Sequence, residues 1–193
     1  MGNSETLGRG SLQFTSGGTG ISHSEFNADK TPGGRGQDVR FLQIWAVPSQ
    51  RGLTPGYQTG HFSDAQKRDR LCAVLEPAAS PTPGSGALRI NNGLTMLASI
   101  LSPGAALPLP LPPSSRAYIH VPAMPGAAGV AVSAPGVAEL ALAPGDGAFV
   151  EGVGELQFRG LGEAAVPAGA GAGGSGGAAA APGTEFVVMH FPK

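Results

Sequence analysis

The chain has 193 residues, and 12 Lys and Arg against 13 Asp and Glu leave a formal net charge of −1. That balance gives no electrostatic footprint for direct nucleic-acid binding or for an anionic membrane surface. A single Cys excludes a disulfide framework and a Cys-rich metal site, and no apolar run approaches the roughly 20 residues that cross a bilayer.

Taken in chain order, the opening MGNSETLGRG has two readings. Met1-Gly2 with Thr6 fits the pattern for acylation of Gly2, although one myristoyl chain binds membranes only marginally and neither a basic cluster nor a nearby Cys follows. The same letters read as a Gly-Asn turn, since both residues tolerate positive φ. Short runs rich in Val, Ile, Leu and Phe follow, separated by Gly, Pro, Asn or Asp. They predict strands over Ser11–Ser16, Val39–Pro48, Leu71–Glu76, Leu88–Asn91, Leu94–Leu101 and Arg116–Val121, then over Gly129–Ser133, Ala138–Leu142, Gly147–Glu151, Glu155–Arg159 and Thr184–Phe191. Many short strands with frequent turn signals indicate an all-β sandwich or barrel. Helical periodicity is confined to Ser63–Leu71, where Ser63 is a candidate cap.

Gly and Pro number 32 and 18, and much of that bias is local. Pro77–Gly86 reads as a linker. Pro103–Pro113, with LPLPLPP, reads as stiff polyproline II that could also serve SH3-type domains. Residues 167–183, PAGAGAGGSGGAAAAPG, hold too little apolar surface to offset ordering entropy and predict a floppy insertion between strands.

The segment with chemistry is Gly17–Asn27, GGTGISHSEFN. His23 and Glu25 stand two apart, so an extended backbone points both to one face. One imidazole beside one carboxylate is half of a mononuclear metal site, and equally an ordinary surface hydrogen-bonded pair. Zinc deaminases also use His-x-Glu but require Pro-Cys-x-x-Cys downstream, which the lone Cys72 cannot supply.

GSLQFTSGGTGISHSEFN resembles the signature of the pirin family, and the resemblance continues through FLQIWAVPSQRGLTPGYQTGHF, LRINNGLTMLASIL, APGDGAFVEGVGELQF and TEFVVMHFP. It spans nearly all of the chain outside the three low-complexity stretches. It implies a bicupin: two tandem double-stranded β-helix (jelly-roll) barrels, with one metal, usually Fe(II), in the first. The family's ligands are a His-x-His pair on an early strand plus the His and Glu of the HSE motif. His23 and Glu25 match the second pair; the first has no counterpart, because the histidines are His23, His61, His120 and His190. The resemblance therefore implies an incomplete first barrel over residues 1–62, a short helix and linker over 63–86, and an intact second barrel over 87–193. It also favours the turn reading of the opening residues, as a connection inside a larger fold.

For function, the resemblance implies a metal-dependent dioxygenase acting on flavonols such as quercetin, with Glu25 as ligand and base, His23 as ligand, and weak or absent metal binding. Alternatives are a cytoplasmic or nuclear transcription-cofactor-like protein that binds a protein partner without turnover, and a product without function. Uncovered apolar faces at Phe14, Phe41, Ile44 and Trp45, with unpaired strand edges, predict self-association. Other residues have structural readings. His120 is expected to be packed or hydrogen-bonded and His61 to be a solvated loop residue. Asp146 is expected to cap backbone N–H groups, Trp45 and Phe41 to pack in the core, Arg68 and Arg70 to be solvated, and Cys72 to be buried and inert.

Overall fold

The computed structural model describes residues 2–29, 38–124, 126–162 and 183–192; most of the Ala/Gly stretch at 167–183 lies outside them. Among the described residues, twelve strands and one short helix form in the order β1 (Ser11–Ser16), β2 (Gly56–His61), α1 (Asp64–Lys67), β3 (Cys72–Pro77), β4 (Leu88–Ile90), β5 (Thr95–Leu101), β6 (Ala106–Leu111), β7 (Arg116–His120), β8 (Val130–Ala134), β9 (Val137–Leu142), β10 (Gly147–Glu151), β11 (Gly154–Gly160) and β12 (Thr184–Phe191). They make a six-stranded sheet, β10-β7-β12-β5-β3-β4, a four-stranded sheet, β6-β11-β8-β9, and a separate ribbon, β1-β2. The all-β architecture expected from the spacing of the strands is observed, in the jelly-roll form that the resemblance implies.

The two larger sheets enclose one core. Leu101, Ala117, Ile119, Phe186 and Val188 from the six-stranded sheet meet Leu109, Leu111, Val130, Val132, Leu156 and Phe158 from the four-stranded sheet. Phe158 and Phe186 touch across the layers, with ring centroids 4.9 Å apart. Buried Thr184 bonds the sheets directly, its hydroxyl donating to the Gly129 carbonyl at 2.6 Å. At Gly160 the chains run so close that a Cβ would stand 2.3 Å from the Ser102 carbonyl oxygen, which leaves room for glycine alone.

The other face of the six-stranded sheet carries a second core: Val74, Leu75, Leu88, Leu94, Met96 and Val187, with Phe62, Leu12 and Phe14 laid over them. These last three belong to the ribbon and the turn that leaves it. Period-two alternation explains the arrangement, since Leu12 and Phe14 turn toward the sheet while Ser11, Gln13 and Thr15 turn away. The ribbon approaches β4 closely at Gly60, whose missing Cβ would lie 3.1 Å from Leu88 Cδ2. Beside it, the Gln58 side chain acts as a substitute peptide: its Nε2 donates to the Arg89 carbonyl at 2.9 Å and its Oε1 accepts from the Arg89 amide at 3.0 Å. Arg9, just before β1, bridges Asp64 at 3.1 Å and Glu185 at 2.7 Å, tying ribbon, helix and sheet together.

Three expectations are corrected. The segment Val39–Pro48 forms no strand among the described residues, because no neighbour supplies a ladder; it is held by the Asn92 side-chain amide on the Val47 carbonyl at 3.1 Å and by Arg40 on the Ala123 carbonyl at 2.5 Å. Trp45 and Phe41 are accordingly exposed, 88% and 66%, and are not core residues. Pro103–Pro113 is not a free polyproline stretch: Ala106–Leu111 is β6, with Leu109 and Leu111 buried and Pro108 and Pro110 turned outward. Proline lacks an N–H for the ladder, which confines such a strand to a sheet edge, and β6 is an edge of the four-stranded sheet. The strand expected over Leu71–Glu76 is present as β3, one residue further along, and pairs with β4 and β5. The expected cap is present, as a full capping box between Ser63 and Gln66.

One buried charge stabilises the β3–β4 region. Glu76 is 5% exposed and accepts from Arg89 at 2.7 Å, from the Ser85 hydroxyl at 2.8 Å and from the Thr82 amide at 3.2 Å. Burial alone would raise its carboxyl, but the Ser85, Thr82 and Arg89 donors outweigh it and hold the group below its ordinary value.

Replacing Phe158 by Ala is expected to cost about 3–5 kcal/mol in urea unfolding, since it empties the centre of the core between the sheets. Because Glu76 titrates lower in the folded than in the unfolded chain, its contribution is complete above the ordinary value of 4.5 and is lost as pH falls through the folded value. Thermal melts from pH 6 down to pH 3 should therefore show a loss of stability in wild type that is smaller in Glu76→Gln, which should itself be destabilised at pH 7 by about 1–3 kcal/mol.

Candidate functional site

Glu25 and His23 lie between β1 and β2 in sequence, in a segment without regular secondary structure whose side chains are exposed. The segment is tied at its root. Gly20 N–H donates to the Gly17 carbonyl at 2.8 Å and Thr19 N–H to the Leu53 carbonyl at 3.0 Å. Gly18 makes this turn possible: its φ is +51°, and a Cβ there would stand within 3 Å of Leu53 and Pro55 backbone atoms. At its far end the Asp29 amide donates to the Asn27 side-chain oxygen at 3.1 Å.

The segment meets the outward face of the β1–β2 ribbon. Gln13 pairs with Thr59 and Thr15 with Tyr57 in the antiparallel register, so Gln13, Tyr57, Thr59 and His61 share the face opposite the second core. Gln13 Nε2 donates to Glu25 Oε1 at 3.4 Å, and the Tyr57 hydroxyl donates to Gln13 Oε1 at 3.3 Å. The Tyr57 hydroxyl titrates above its ordinary value, chiefly through burial and further through the charge of Glu5. The structure thus brings Glu25, Gln13 and Tyr57 together. Sequence reasoning singled out Glu25 but not the other two; the available signal was the alternation in SLQFTS, which places Gln13 opposite Leu12 and Phe14.

The donor set does not fit a complete metal centre. Among the described residues no group of three or more His, Cys, Asp and Glu side chains could hold an ion. His61 is an exposed strand residue at the end of β2, where a loop position was expected. His120 and His190 belong to the six-stranded sheet, with His120 Nδ1 and His190 Nε2 buried and unpartnered among the described residues. Burial pushes the His190 imidazole below its ordinary value. Cys72 is half-buried against the second core, and its thiol titrates high, mainly from burial. Asp146 does cap, accepting from the Ala143 amide at 2.9 Å. Among the described residues no helix is long and apolar enough to cross a membrane.

Substituting Gly18 by Ala should loosen the segment without unfolding the protein. The Thr19 amide is expected to exchange at least about tenfold faster, equivalent to roughly 1.4 kcal/mol, while amides of β5 and β12 stay protected; hydrogen-exchange mass spectrometry measures both.

No protein-family model matches the chain. It is 36% identical over 120 residues to a putative quercetin 2,3-dioxygenase of Mycobacterium tuberculosis, covering 61% of this chain and 46% of that protein. It is 33% identical over 96 residues to the quercetin 2,3-dioxygenase of Escherichia coli K12, covering 50% and 36%. The chain spans about half the length, or less, of the curated relatives it matches. In three dimensions it is similar to YhhW of E. coli, with a TM-score of 0.69 at 22% identity over 100% of this chain and 64% of that one. It is similar to the same degree, TM-score 0.69, to the bacterial pirin YhhW in complex with nickel(II), at 20% identity. The jelly-roll sheets are those of the cupin fold that the two YhhW structures share, and over about half of its length the chain is similar in sequence to the quercetin 2,3-dioxygenases.

Proposed function

We propose that this chain is a pirin-type cupin of the quercetin 2,3-dioxygenase kind in which metal holding is weak. The observation that carries this reading is the pairing of the HSE segment, His23 with Glu25, with a structure that gathers no third metal donor beside them among the described residues. The names of the curated relatives support a flavonol as the substrate class. Fe(II) is the ion we assign, with the imidazole of His23 and the carboxylate of Glu25 as this chain's own contribution. Two protein donors leave most of a hard-metal coordination shell unfilled, so affinity should be low. Glu25 is the group proposed to accept a flavonol hydroxyl proton; its carboxylate lies on an exposed segment where a ligand can reach it.

A second element of the proposal is self-association. Val39, Phe41, Leu42, Ile44, Trp45 and Val47 are all exposed in one segment without a ladder partner among the described residues, which leaves a bare apolar stretch. The same stretch supports the reading of a partner-binding protein without turnover.

The purified chain, reconstituted anaerobically with Fe(II), is expected to retain well below one iron per chain after desalting and to consume quercetin only in traces. Stoichiometric iron with sustained turnover would overturn the claim of weak holding, and retained iron unaffected by His23→Ala together with Glu25→Ala would overturn the ligand assignment. Light scattering after size exclusion should give a mass above the monomer's 19.2 kDa that falls in the double variant Phe41→Ser, Trp45→Ser. A sharp monomer peak with a cooperative melt in wild type would refute self-association.

A further inference from the structure

We propose that Gln13 is a positioning residue for Glu25, with Tyr57 fixing the orientation of the Gln13 amide. The proposal rests on the reading of Glu25 as the carboxylate of the site. A glutamine amide can present either its oxygen or its nitrogen to a neighbour, and hydrogen-bond partners decide which. Here both ends are assigned by chemistry. The Tyr57 hydroxyl donates to Oε1 at 3.3 Å, which leaves Nε2, a donor only, facing Glu25 Oε1 at 3.4 Å. A carboxylate accepts only, so the chain Tyr57 to Gln13 to Glu25 runs in one direction and its polarity fits at each link.

The arrangement also has a mechanical logic. Glu25 stands on irregular chain, but Gln13 and Tyr57 stand on strands paired over six register positions. Their ribbon is in turn clamped to the six-stranded sheet by Leu12, Phe14 and the Gln58 amide. The Thr19–Leu53 bond holds the root of the segment, and the Gln13 bond reaches Glu25 itself. A carboxylate held by a donor on a rigid element keeps one face toward an incoming ligand, whereas one on free chain samples many directions.

Backbone relaxation measurements on the intact chain test this. In wild type the amides of Ser24, Glu25 and Phe26 should have order parameters near 0.8, and in Gln13→Glu they should fall below about 0.6. Glutamate has the length and shape of glutamine but, ionised, has no N–H to donate and repels Glu25, so the variant separates donation from packing. Tyr57→Phe, which keeps the ring, should lower the same order parameters by a smaller amount and alter the Gln13 side-chain NH₂ signals. Protection of the β1 amides reports that each variant is folded. Unchanged order in Gln13→Glu, or wild-type amides already below 0.6, would overturn the role of Gln13. Because the measurement involves neither metal nor flavonol, inertness toward quercetin leaves it valid. Quercetin turnover that persists in Glu25→Ala would instead overturn the functional reading while leaving the Gln13 contact standing.

Discussion

The packing of a two-stranded ribbon onto the outer face of a six-stranded sheet is the interaction on which the candidate site depends. An isolated hairpin-sized ribbon is marginal in water, and β1–β2 has no further strand beside it among the described residues. Its stability is supplied by Leu12, Phe14 and Phe62 against Leu88, Leu94, Met96 and Val187. At roughly 1.5–3 kcal/mol for each large apolar side chain taken fully out of water, these contacts outweigh the bridges of Arg9, whose side chain is 46% exposed and screened. The jelly-roll is therefore both the main folding unit and the platform that orders the segment bearing His23 and Glu25.

This division explains why polar chemistry collects where it does. The inward face of the ribbon is fully used by the second core, so its polar residues, Gln13, Tyr57, Thr59 and His61, share the outward face. The HSE segment folds back over that face from the tight turn at Gly17–Gly20. A substitution in the second core, remote from His23 in sequence, would act on the site by loosening its support, without touching any polar group in it.

Strands that follow simple alternation were legible in the sequence. SLQFTS, TMLASIL and TEFVVMHF each place large apolar residues on a buried face and became β1, β5 and β12. Strand β2, GYQTGH, was not, because its sheet-facing positions are Gln58 and Gly60: the first works through its amide and the second through its lack of a side chain. Strand β6 was hidden by prolines that only an edge strand accommodates. The opposite error came from VRFLQIWAVP, whose composition suits a strand; a ladder needs a neighbour, and local sequence does not encode one. For the site, the motif identified His23 and Glu25, but the contact between Glu25 and Gln13 depends on a chain reversal at Gly18 that spacing alone does not encode.

The Gln58 amide on β4 has a consequence for the margins of the protein. By occupying both the donor and the acceptor of Arg89, it seals the rim of the six-stranded sheet against any foreign strand seeking a template there. The prolines of β6 seal one rim of the other sheet in their own way. What stays open among the described residues is β10 and β9, the remaining borders of the two sheets, so intermolecular β-pairing on the jelly-roll is directed to those two strands.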